Sequence, residues 1–259
     1  MKMPVLLLFA LVLSTFAEKP NIILIYVDDM GYGDASCLNP KAKFKTPNID
    51  RIAKEGMTFT DGHSSDTVCT PSRYSLLTGR YSWRTTLKRG VMGAEGTCLI
   101  TNGRMTLASL LSDNGYTTAM VGKWHLGMDF PGTKGNRDWK QPVKDMPLDK
   151  GFDYFWGIPA SMNYGVLAWF EGRHAKVPPI FFTSKKPSKI AMADYRIMPP
   201  YQKTPKEAPE PEESGRRKMS LKGKGLEVAN DFIDIECLDR FTTQSLKWFE
   251  RRAAAARKG

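Results

Sequence analysis

Three short clusters in this 259-residue sequence hold residue types that could do chemistry. Cys69-Thr70-Pro71-Ser72-Arg73 sets a thiol beside the start of an expected helix, where backbone N–H groups favour a bound anion. Thr70 is expected to cap that helix and Pro71 to sit in its first turn. Arg73 adds a fork of donors that matches a tetrahedral oxyanion. Asp28-Asp29 is a pair of adjacent carboxylates, the donor type of a hard cation. Lys123-Trp124-His125 brackets a tryptophan with a cation and a titratable base. Each cluster alone has a plainer account: a buried structural thiol, a turn or helix cap, surface residues beside a packed Trp.

The elements around these clusters decide where they stand. Asn21–Val27 is a continuous apolar, largely β-branched run, which suits a strand buried on both faces and ending in Asp28-Asp29. A helix is expected from Thr46-Pro47 to Gly56, with Ile49, Ile52 and Ala53 on one face. Met57–Thr60 reads as a short strand, and a second helix runs from Pro71 to about Gly79. A third covers Leu107–Asp113, with Leu107, Leu110 and Leu111 inward and Asn114-Gly115 as its stop. Tyr116–Val121 is strand-like and delivers Lys123-Trp124-His125. Aromatic-dense Gly151–Gly157 is expected at a sheet edge or pocket, Lys203–Gly225 as a mobile loop, and Leu226–Ala256 as one helix. This order predicts an α/β fold, a mostly parallel sheet with helices on both faces. Ligands bind past the carboxyl ends of strands in such sheets, where Asp28-Asp29 and Lys123–His125 both fall.

Four blocks, in order, resemble the type I sulfatases: Pro20-Asn21-Ile22 leading into Asp28–Asp34; Thr46-Pro47-Asn48-Ile49-Asp50; Cys69–Arg73 continuing to Thr78-Gly79-Arg80; and Gly122–Gly127. The resemblance covers about residues 19–130 well. It implies an alkaline-phosphatase-like core and a sulfuric ester hydrolase, arylsulfatase-like, acting on an aryl sulfate or a sulfated saccharide. It implies that a formylglycine-generating enzyme oxidises Cys69 to formylglycine, whose hydrated aldehyde attacks sulfur. It further implies that Asp28 and Asp29, with the oxygen made from Cys69, ligate Ca²⁺. Arg73 would fix the formylglycine oxygens, Lys123 would bridge them to the sulfate, and His125 would be the base that helps expel sulfate. Family members continue further, through another histidine, an Asp-Asn pair and a lysine. Residues 18–259 therefore resemble the N-terminal portion of the catalytic domain, and the chain alone is expected to bind Ca²⁺ weakly and turn over little. A phosphonate or phosphate monoester hydrolase of the same superfamily, and an inactive fragment that binds sulfated glycans, are the alternatives.

Composition sets the outer bounds. Apolar residues at 41% and charged residues at 25% exclude a wholly disordered or collagen-like chain. Residues 1–17 read as a signal peptide, a positive start followed by an apolar run too short to span a bilayer. An exported protein, secreted or periplasmic, with no membrane span after cleavage is expected. Cys37, Cys69, Cys98 and Cys237 show no zinc spacing, and their spacing calls for no disulfide framework. The net charge of +11 suits anionic partners, but no nucleic-acid module is present and no nucleic-acid partner is expected. His63 and His174 read as loop or surface histidines.

Overall fold

A computed structural model describes residues 19–183, 219–221 and 225–256. The signal peptide expected at 1–17 lies outside them, as does most of the 203–225 loop. The chain divides into two compact units between Asp61 and Gly62.

Among its described residues the first unit has one helix, α1 (Pro47–Glu55), and a single 3₁₀ turn at Tyr32–Asp34. Pro47 at the first helical position and Gly56 just past the end give α1 the bounds expected of it. Its start is tied to the preceding loop through Asp50. That carboxylate accepts from Ser36 Oγ at 2.6 Å, Thr46 Oγ1 at 2.8 Å and Cys37 N at 2.9 Å. These hydrogen bonds, Ser36 first, lower the Asp50 pKa. The strand expected at Asn21–Val27 does not form: residues 22–27 join no ladder and are 40–73% exposed. A strand needs a neighbour to satisfy its backbone, and no segment among the described residues pairs with it. Met57 and Phe59 are likewise exposed and outside any strand, and Ile49 and Ile52 on α1 face solvent.

The second unit carries the sheets. Its helices are α2 (Cys69–Thr78), α3 (Leu107–Asp113) and α4 (Cys237–Ala256). Strand β1 (Ala119–Lys123) precedes a hairpin of β2 (Gly132–Thr133) and β3 (Asn136–Arg137), turned at Lys134-Gly135 with Gly135 at φ +79°. Then come β4 (Tyr154–Ile158), β5 (Val166–Leu167), β6 (Phe170–Glu171), β7 (His174–Ala175), β8 (Phe181–Thr183) and β9 (Leu226–Val228). One sheet has the order β1-β4-β6-β7, and another β5-β9-β8. The α/β class stands. Pairing is parallel at β1·β4 and β5·β9, and antiparallel at the other four pairs, where β6 turns tightly into β7 at Gly172.

Three expectations change here. The Gly151–Gly157 segment is not an edge: β4 lies between β1 and β6, with Phe155 and Trp156 buried. The single helix expected over 226–256 is instead β9, a loop, a 3₁₀ turn at Asp234–Glu236, and α4. Glu227 explains the strand. Its side chain is 4% exposed and pairs with the equally buried Arg137 at 2.6 Å, which ties β9 to the β2–β3 hairpin. On α3 the bounds hold, but Ala108 is the buried residue while Leu107 and Leu110 are exposed.

The core lies between the two sheets and α4. Trp156 stacks on Trp169 at 5.4 Å, Trp169 on Phe232 at 4.8 Å, and Phe241 of α4 meets both tryptophans edge-on. These rings bury the largest apolar areas a side chain can offer. They pack around β4, whose ladder with β1 leads to Lys123 and His125.

Candidate active site

Strand β1 ends at Lys123, and its parallel pairing with β4 continues past the ladder. Trp124 N donates to Ile158 O at 3.0 Å and His125 N to Pro159 O at 2.8 Å. The carboxyl ends of both strands therefore share one edge, the position at which open α/β sheets bind ligands. Trp124 anchors this turn: its ring is buried and its indole N–H donates to Gly127 O at 2.9 Å. His125 follows with φ +60°, a left-handed value that an L-residue holds only when its surroundings enforce it. Among the described residues only Asp29, His125 and Asp145 are non-glycines with positive φ, and two of these are candidate site residues.

Helix α2 begins at Cys69, two residues before the expected start, with extended Val68 as its N-cap residue. The turn leading in is set by Asp66, whose carboxylate accepts from Thr67 N at 2.7 Å and Val68 N at 3.3 Å. Ser72 Oγ closes the first turn on Val68 O at 2.8 Å. Gly79, at φ +65°, ends the helix. Thr70 is thus not the cap. It lies inside the first turn, fully buried, and bonds residues far away in sequence.

The side chains converge as follows. Lys123 Nζ lies 3.3 Å from Cys69 Sγ and donates to Ser161 Oγ at 3.0 Å. Arg73, four residues after Cys69 and so on the same face of α2, donates from Nη1 to Lys123 O at 2.5 Å. Thr70 Oγ1 donates to His125 O at 2.9 Å and accepts from Met92 N at 3.1 Å. His125 Nε2 meets Met92 O at 2.8 Å. A carbonyl only accepts, so Nε2 carries the proton and Nδ1 is the nitrogen able to take another. Cys69, Arg73 and Lys123 are thus joined by hydrogen bonds, and His125 is held in a second set with Met92 and with Thr70, the chain neighbour of Cys69. Cys69 is half-buried, and no two of the four cysteines are bonded. Cys98 differs from it: burial pushes its thiol up to about 12, which makes it inert at neutral pH.

Asp28 and Asp29 belong to the first unit and are exposed, next to the 3₁₀ turn where Gly31 N donates to Asp34 Oδ2 at 2.7 Å. Among the described residues no three His, Cys, Asp or Glu side chains cluster as a metal site. His63 and His174 are exposed, as expected. Ser161 and Met92 were not anticipated. Ser161 was in principle findable, because a polar residue just beyond β4 stands at the same edge as Lys123 once the two strands are paired. Met92 acts through its backbone, which no residue type announces.

Lys123 and His125 at the carboxyl end of β1, with Cys69 and Arg73 of α2, are the residue types that suit a tetrahedral oxyanion beside a nucleophile. The comparisons agree with that class. Residues 20–183 match the family model described as Sulfatase, and the chain belongs to that family. It is 39% identical over 158 residues to the N-acetylgalactosamine-6-O-sulfatase of Bacteroides thetaiotaomicron, covering 61% of this chain and 30% of that protein. It is 41% identical over 167 residues to human steryl-sulfatase, covering 61% of this chain and 27% of that protein. A solved structure described under the metabolism of multiple glycosaminoglycans by Bacteroides thetaiotaomicron aligns with a TM-score of 0.57 and 36% identity. That alignment covers 66% of this chain and 36% of the other. The chain spans about a third or less of the lengths of these relatives.

Proposed function

We propose that this chain is the N-terminal portion of an exported sulfuric ester hydrolase, with residue 69 as the nucleophile position. The observation that carries the reading is the contact of Lys123 Nζ with Cys69 Sγ at 3.3 Å, in the first turn of a helix that also bears Arg73. What formylglycine would supply at residue 69 is a hydrated aldehyde, with one oxygen to attack sulfur and a second to release sulfate afterwards. A half-buried, unbridged Cys69 at a helix start suits that modification and its modifying enzyme.

The chain's own groups do the rest. Lys123 neutralises negative charge at residue 69 and on an incoming sulfate oxygen, and Ser161 holds its ammonium in place. Arg73 brings a second cation, braced against the last carbonyl of β1. His125 takes a proton at Nδ1, because Nε2–H is committed to Met92. Ca²⁺ takes about 6–8 oxygens. The exposed pair Asp28 and Asp29 falls short of that, and no third carboxylate gathers with them among the described residues. The donor set does not fit a calcium centre by itself, and no step here runs through one. The relatives' names support a sulfated saccharide or a steryl sulfate as substrate class.

The test is co-expression with a formylglycine-generating enzyme, followed by two readouts. Mass spectrometry of the peptide that holds residue 69 is expected to find an aldehyde, absent from Cys69→Ala. Slow hydrolysis of an aryl sulfate, lost in the same variant, is expected to exceed hydrolysis of the matching phosphonate. A retained thiol, or preference for the phosphonate, would overturn the reading.

A further inference from the structure

We propose that Thr70 is a positioning residue for His125, setting both its tautomer and its placement against residue 69. The inference rests on the proposed role of His125 as a proton acceptor. The Thr70 hydroxyl is fully buried and sits between two backbone groups, donating to His125 O at 2.9 Å and accepting from Met92 N at 3.1 Å. Met92 then uses its other backbone group, the carbonyl, to hold His125 Nε2 at 2.8 Å. The bonds close a ring: Thr70 to the His125 backbone, the His125 ring to Met92, and Met92 back to Thr70.

Each member of this ring has a reason to be there. His125 holds a left-handed backbone at φ +60°, which needs outside support, and its carbonyl bond from Thr70 is part of that support. Its N–H is tied to Pro159 O at 2.8 Å, so the backbone is gripped from both the α2 side and the β4 side. Met92 O can only accept, so the ring places the single neutral-state proton on Nε2 and leaves Nδ1 basic. The same hydroxyl links the residue peptide-bonded to Cys69 with the backbone of His125, 55 residues on. A helix cap would have bonded its own helix. The partners of the Thr70 hydroxyl, His125 O and Met92 N, lie in two other segments.

The experiment uses the whole 259-residue chain, labelled with ¹⁵N-histidine. Long-range ¹H–¹⁵N spectra report which ring nitrogen of each histidine is protonated, and His125→Gln assigns the His125 signal among the three histidines. Wild type and Thr70→Ser are expected to show His125 wholly as the Nε2–H form. Thr70→Val keeps shape and burial but removes the hydroxyl, and is expected to give a mixture of tautomers or exchange broadening at His125 alone. Circular dichroism and the spectra of His63 and His174 report whether the variant is folded. A folded Thr70→Val with an unchanged, purely Nε2–H His125 would sink the inference. If Thr70→Val does not fold, Thr70→Cys, a poor donor of nearly the same size, takes its place under the same criterion. Aryl sulfate turnover, measured on chains co-expressed with a formylglycine-generating enzyme and shown by mass spectrometry to carry the aldehyde at residue 69, separates the two readings. A tautomer change with no turnover in any form, wild type included, refutes the catalytic reading and leaves the positioning intact. Where wild type turns over, Thr70→Val is expected to lower kcat about tenfold with KM little changed, and Thr70→Ser to restore it.

Discussion

At the scale of single residues, the site is a set of charges whose order of importance can be argued. Lys123 places a cation 3.3 Å from Sγ of residue 69, so its removal takes away a whole preorganised charge. Lys123→Met is expected to cut kcat by roughly 10²–10³-fold, the range for losing a preorganised stabilising donor. Ser161 acts one bond further out, and losing one hydrogen bond of about 0.5–1.5 kcal/mol predicts a drop of only about two- to tenfold for Ser161→Ala. Steady-state kinetics on an aryl sulfate rank the two, and equal effects would remove Ser161 from the role of holding the ammonium. The candidate residues themselves were legible because each sits in a short motif. Their partners were not. Thr70 reads locally as a cap, since a hydroxyl near a helix start usually is one. Its true partners lie 22 and 55 residues away, and no local pattern encodes them.

At the scale of elements, the ends of α1, α2 and α3 and the start of α1 followed from Gly, Asn and Pro, whose effects on the backbone are local. Strands failed where pairing had to decide. Leu226-Glu227-Val228 fits a helical periodicity in sequence, yet its fate is set by Arg137 across the hairpin. That ion pair supplies a strong test. Glu227→Ala strands the Arg137 guanidinium, 1% exposed, with only the half-exposed Glu95 as acid partner. A loss of about 3–5 kcal/mol in urea unfolding is expected, the range for breaking a buried pair from one side. An exposed pair behaves differently. The Arg173 hydrogen bonds lower the Asp149 pKa below the usual 3.8. Its folded value is depressed, so its contribution is complete above the unfolded pKa and is lost as pH falls through the folded one. Both side chains are about one-third exposed, which limits the contribution to about 0.2–1 kcal/mol. Asp149→Asn is therefore expected to lower the melting temperature slightly at pH 7 and to lose that difference in acid, as the pH falls through the depressed pKa of Asp149. A difference that persists in acid would mean that packing, not charge, joins the two residues.

At the scale of the whole molecule, two features point the same way. Asp28 and Asp29 offer carboxylates but no cluster, so calorimetric titration with Ca²⁺ is expected to give a dissociation constant weaker than about 10⁻⁴ M. Micromolar binding would show that a full donor set forms in this chain. The second feature is the run Ile22–Val27, six apolar residues in succession, each at least 40% exposed. The sequence marks this run as a buried strand, and among the described residues no strand pairs with it. High β-propensity and the absence of charge favour pairing of such a run with another strand. Such a segment pairs with copies of itself when nothing else covers it. The 259-residue chain is thus expected to self-associate in a concentration-dependent way, with the contact through residues 22–27. Ile25, the most exposed residue of the run, is the place to interrupt it. A lysine there adds a charge to each copy, and like charges facing one another oppose pairing. Ile25→Lys is expected to reduce light scattering and shift the chain toward monomer in sedimentation, with no change in the tautomer of His125. An unchanged association state would place the sticky surface elsewhere, and the exposed Leu238 and Leu246 of α4 would be the next to replace.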